Sequence, residues 1–99
     1  MLNVSRHQEA QKILRAVKSG AYSFSLHAGD RSLTRALSKE QIAGVAANLV
    51  YWKWQDDHQT YLFVGRLDDR QGAGFTAVID SGVVVVTVFR RRIKKREEV

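Results

Sequence analysis

His27 and Arg31 stand four residues apart, and Thr34 and Arg35 follow on the same side if the segment is helical. A histidine near a helix start, beside two arginines, suits phosphate chemistry. Arginine presents a planar donor fork to phosphate oxygens. Imidazole exchanges a proton near neutral pH, and two neighbouring cations are expected to favour its free base. A solvated polar face, with His27 stacked on the sheet edge and Asp30 paired to a nearby cation, has the same spacing.

The chain holds other groups with chemical potential. Asp56, Asp57 and His58 are adjacent, but neighbours on a tight turn seldom converge on one ion, so a polar turn is expected there and no metal. Trp52, Trp54, Tyr61 and Phe63 are the right types to stack RNA bases, although sheet aromatics in a small domain more often belong to core or rim. No Gly-rich phosphate loop, Walker pattern, His-Glu-x-x-His spacing or nucleophile elbow occurs. No cofactor is expected.

The elements that position these groups fall into two halves. Ser5 and Gln8 have capping-box spacing, and Ala10, Ile13, Leu14 and Val17 repeat at helical intervals, so a first helix is expected at 6–18 with Gly20 as its stop. Ser23 or Ser25 can cap a second, shorter helix in which Leu26, Leu33 and Leu37 lie along one line. Ser38 and Gln41 form another capping-box pattern, opening a third helix with Ile42, Val45, Ala46 and Leu49 inward.

From Val50 the period changes to two. Residues 50–55 and 60–67 read as a hairpin. A two-residue turn sets Trp52 and Trp54 opposite Phe63 and Tyr61; a three-residue turn sets them opposite Val64 and Leu62. Residues 75–79 and 83–89 read as a second hairpin around Ser81 and Gly82. A two-residue turn there puts Phe75, Ala77 and Ile79 on one face with Val84, Val86 and Val88, and pairs Thr76 with Thr87 on the other. The expected fold class is α+β, three helices followed by a four-stranded antiparallel meander.

Ninety-nine residues suit one domain. The expectation is a single unit over residues 1–91 and a basic tail over 92–99. Of the net charge of +6, the last ten residues carry six basic and two acidic side chains. A negatively charged partner is implied near that end. Arg90 and Arg91 continue a strand, so their side chains should point to opposite faces. The absence of cysteine removes disulfides and thiol chemistry. With no apolar run near the ~20 residues that span a bilayer and no signal-like start, a cytoplasmic location away from membranes is expected.

Residues 25–38, Ser-Leu-His-Ala-Gly-Asp-Arg-Ser-Leu-Thr-Arg-Ala-Leu-Ser, resemble the H-A-x-[DE]-R-x-x-x-R-G-[IL]-S helix of the family called domain of unknown function 4258. Residues 61–65 and 85–90 look like that family's closing strands. The resemblance covers roughly residues 23 to 91. Ala36 stands where the family commonly has Gly, and Ser32 replaces a usual apolar residue. That family looks related to the RelE- and BrnT-like toxins, in the barnase, EndoU, colicin and RelE group of small ribonucleases.

The resemblance implies a RelE-like, metal-independent endoribonuclease toxin acting on RNA. A ribose 2′-hydroxyl would lose its proton to a base and attack the adjacent phosphate, expelling the 5′-oxygen, which takes a proton, and leaving a 2′,3′-cyclic phosphate. On that reading His27 is the base or acid. Arg31 stabilises the phosphorane, with Arg35 or Arg90 assisting, and Thr87 hydrogen-bonds a phosphate oxygen. Arg91, Arg92, Lys94, Lys95 and Arg96 hold the RNA backbone. The alternative is a non-catalytic module of the same fold that binds nucleic acid, or a protein as an immunity or inhibitor subunit. The basic tail can also dock on an acidic antitoxin.

Overall fold

A computed structural model describes residues 2–25 and 37–92, the side chains of residues 2–5 and 92 excepted. Helix α1 spans Leu2–Ser19. It buries the expected stripe of Ala10, Ile13, Leu14 and Val17. It also starts earlier than the spacing of Ser5 and Gln8 predicts, because Leu2, Asn3 and Val4 carry nothing that stops a helix. Its end is a Schellman arrangement. Gly20 adopts a φ of 81°, Gly20 N donates to Val17 O and Ala21 N to Ala16 O.

Strand β1 is two residues, Ser23–Phe24. It pairs in parallel with the strand that ends the described chain, Ser23 against Val84 and Phe24 against Val85. Ser23 is therefore a strand residue. Ser25 extends the contact, its N donating to Val85 O and its hydroxyl to Val86 O, each at 2.9 Å. The second helix expected after it lies outside the described residues.

The third helix expected from the sequence is α2, Lys39–Ala47. Ser38 and Gln41 form the expected capping box in both directions, at 3.1 and 2.9 Å. Ile42, Val45 and Ala46 are buried. Leu49 belongs to the next strand instead, because Asn48 ends the helix with its own N–H and side-chain amide on Gly44 O.

Strands β2 (Leu49–Gln55), β3 (Thr60–Arg66), β4 (Gln71–Ile79) and β5 (Val83–Arg92) complete a five-stranded sheet of order β1-β5-β4-β3-β2. The expected antiparallel meander is present as β2 to β5. The parallel β1 makes the sheet mixed rather than antiparallel throughout. Trp52 faces Phe63 and Trp54 faces Tyr61 across a four-residue turn, Asp56 to Gln59, closed by Gln59 at a φ of 53°.

The second hairpin departs from its expected register. Its loop holds three residues, with Ser81 at a φ of 55° and Gly82 at 124°. Ile79 and Ala77 therefore pair with Val83 and Val85. An irregularity then passes over Val86, and Thr76 meets Thr87 as expected. Val83, Val85 and Val88 are buried, not the set Val84, Val86 and Val88.

α1 and α2 pack on one sheet face. Phe63 stacks on Phe75 beneath them at 4.9 Å between centroids. Truncating either buried ring to Ala would cost about 3–5 kcal/mol. α2 approaches β3 so closely that a Cβ on Gly65 would collide with Val45 O and stand 2.8 Å from Asn48 O. The continuation is fixed too, because Arg66 N donates to Asn48 O at 3.0 Å.

Candidate nucleic-acid interface

In a meander, the end of β3, the start of β4 and the end of β5 meet at one edge of the sheet. Here that edge gathers Arg66, Arg70, Arg90 and Arg91 around Gln71. Gln71 O accepts from Leu67 N and Asp68 N. Asp68 Oδ1 accepts from Arg70 N and Gln71 N, both at 2.8 Å. Arg66 Nη1 donates to Asp69 O at 3.1 Å, and Arg90 Nη1 to Gln71 Oε1 at 3.1 Å. The backbone N–H groups of Arg70 and Gln71, then the charges of Arg66 and Arg70, hold the Asp68 carboxyl below its usual range. Asp68 is therefore ionised at neutral pH and offsets one cation, and its work is to tie the loop.

Three open clefts lie at this edge among the described residues. One, of about 450 Å³, is lined by Arg70, Gln71, Gly72, Arg90 and Arg91. Another, of about 340 Å³, lies beside it between α2 and the loop, with Ser38, Asn48, Arg66 and Arg90 among its walls. The third, of about 440 Å³, is lined by Asp68, Asp69, Arg70 and Gln71. Guanidinium groups at the mouth of shallow, solvent-filled clefts can take phosphate oxygens without closing over them. Asp68, Asp69 and Glu40 share this edge, so it carries cations and anions together.

The sequence-predicted residues divide as follows. His27, Arg31 and Arg35 lie outside the described residues, as do Lys94, Lys95 and Arg96. Thr87 is half-buried on β5, opposite Thr76. Arg90 is three residues further on, so alternation puts it on the other sheet face. Thr87 and Arg90 are thus not brought to one face. Arg90 and Arg91 diverge as expected, Arg90 to Gln71 and Arg91 Nη1 to Tyr51 Oη at 3.1 Å. Arg92 is the last residue of β5, paired with Gln71, so it belongs to the sheet rather than to a tail. Arg66, Arg70 and Gln71 carry no motif that singles them out. Their signal is the meander itself, which brings the connection at 67–70 beside the end of β5.

The aromatic group on β2 and β3 is not a platform for bases. α1 roofs it. Arg6 lies over the Trp54 ring at 4.0 Å, and His7 is 6.2 Å from Trp52. Tyr61 and Phe63 are buried, and Tyr61 Oη donates to Glu9. Burial, then the Glu9 carboxylate, pushes the Tyr61 phenol up to about 12 against the opposing pull of Arg6. His58 Nε2 lies 3.6 Å from Asp57 on an exposed turn. Among the described residues no three His, Asp or Glu side chains gather as metal ligands. None of the described helices is long and apolar enough to cross a membrane. Comparison of the chain with family models, with curated proteins and with solved structures gave no match in any of the three.

Proposed function

We propose that the chain is a metal-independent endoribonuclease of toxin type that holds RNA at the arginine edge of its sheet. The observation that carries the reading is the gathering of Arg66, Arg70, Arg90 and Arg91 around Gln71, where they line open clefts. A run of guanidinium groups along an open edge suits a polyanion that passes across the surface. Chain connectivity supports the rest. Ser25 is bonded to β5 at Val85 and Val86, and Ser38 borders the cleft that Arg66 and Arg90 line. The sequence between these two anchors holds His27, Arg31 and Arg35.

In this reading the 2′-oxygen bonds to the adjacent phosphorus and the P–O5′ bond breaks, and His27 either takes the 2′-hydroxyl proton as base or gives a proton to the leaving 5′-oxygen as acid. Arg31, with Arg35 or Arg90, balances the charge of the phosphorane. The alternative, a binder without catalysis, uses the same arginine edge. Inducible expression of wild type and His27→Ala in bacteria, with growth and RNA end chemistry as readouts, separates the two. Growth arrest and 2′,3′-cyclic phosphate ends from wild type alone are expected. Equal cleavage by both proteins would remove His27 from the mechanism. RNA binding with no cleavage by either would leave the binding module.

A further inference from the structure

We propose that the sheet face opposite α1 and α2 is a stacking surface for unpaired RNA bases, with Phe89 and Tyr51 as the ring platforms. The inference rests on the RNA reading above but not on cleavage. Strand alternation separates two sets of side chains. Phe63, Phe75, Val85 and Val88 point to the helices. The other set forms three cross-strand rows. The central row is Tyr51, Val64, Gly74 and Phe89. On one side of it run Lys53, Leu62, Thr76 and Thr87, and on the other Arg66, Gly72 and Arg91.

Phe89 reclines on the sheet. A Cβ on Gly74 would collide with Phe89 Cζ and stand 2.8 Å from Cε2, so the far end of the ring lies over the neighbouring strand. Phe89 is half-buried, so part of the ring meets solvent. Tyr51 stands at the far end of the same row, also half-buried, its hydroxyl bonded to Arg91. Arg91, from the neighbouring row, thus reaches across the sheet to Tyr51. Lys53 is exposed on the opposite flank. Two rings between a row with lysine and a row with arginine match a single strand, whose bases offer π-faces and whose phosphates need cations. A duplex hides its base faces and leaves the rings without a role.

The test uses the full chain and two labelled RNA probes, a short single-stranded oligouridine and a hairpin duplex. Both carry 2′-O-methyl groups, so that binding is read without cleavage. Phe89→Leu and Tyr51→Leu are each expected to weaken the single strand about tenfold and to leave the duplex unchanged. Phe89→Tyr, which keeps the ring, should retain the single-strand affinity. Equal loss on both probes, or no loss on either, would overturn the stacking surface while the RNA reading stands. Failure of the wild type to bind either probe at low salt would overturn both. Binding of an acidic peptide alone, loosened by Phe89→Leu, would make the face a protein-docking site and end the proposal.

Discussion

Tyr61 sits between opposite charges from a single turn of α1. Glu9 accepts its hydrogen bond, and Arg6 lies over the adjoining Trp54. The phenol is pushed up to about 12, first by burial and then by Glu9, and burial pushes Tyr22 up to about 12 as well. An ordinary phenol titrates near 10. Between those values the unfolded chain has lost protons that the folded chain keeps. The stabilisation is therefore complete below about pH 10 and is lost as pH rises toward 12. Tyr61→Phe should make the alkaline fall in melting temperature shallower without abolishing it, since Tyr22 remains. At neutral pH the same change should cost about 1 kcal/mol for the lost hydrogen bond. A profile identical to wild type above pH 10 would show that Tyr61 does not carry this titration. The type and spacing of residues 52–63 were legible as an aromatic hairpin. Its burial under α1 was not, because a period of two says that faces differ and leaves open which one a helix covers.

At the scale of elements, local signals and long-range contacts behaved differently. The Ser38 capping box and the stripes of both described helices are written within one or two turns, and all but Leu49 appear where the spacing puts them. β1 has only two residues, too few to show a period, and a parallel partner 61 positions away leaves no local trace. The register over Val83–Val86 was silent for another reason. Four consecutive valines look the same in either register, so only the three-residue loop decides which are buried. Glycine shows the same contrast between local and tertiary demands. Gly44 is inside α2, where an added methyl would have nothing within 4 Å, whereas a methyl on Gly65 would collide with Val45 O. Gly44→Ala should therefore stabilise by roughly 0.5–1 kcal/mol through helix propensity. Gly65→Ala should destabilise by about 1–3 kcal/mol or more, because α2 must retreat from β3. Urea unfolding of both variants checks the pair. Equal effects would mean that α2 does not press on Gly65.

For the whole molecule, the strand pairing relocates the charge. Arg90 and Arg91 continue β5 as expected, and Arg92 belongs to β5 rather than to the tail. Residues 93–99 then hold Lys94, Lys95 and Arg96 against Glu97 and Glu98, a net +1, so five of the six net charges belong to residues 1–92. The total was legible from composition. Its assignment needed the pairing of Gln71 with Arg92, which no residue count reveals. Counterion release turns this into a measurement. Each phosphate contact on a single strand contributes roughly 0.7 to the slope of log affinity against log salt. A chain ending at Arg92 loses three cations, so its slope should shrink by at most about 2. Changing Arg66, Arg70, Arg90 and Arg91 together to Gln, which keeps hydrogen-bonding amides at these positions, should shrink it by up to about 3. The truncated chain is expected to retain the greater part of its low-salt affinity for single-stranded RNA, and the four-site variant to lose it. The reverse order would place the phosphate contacts in residues 93–99 and remove the arginine edge as the RNA-holding surface.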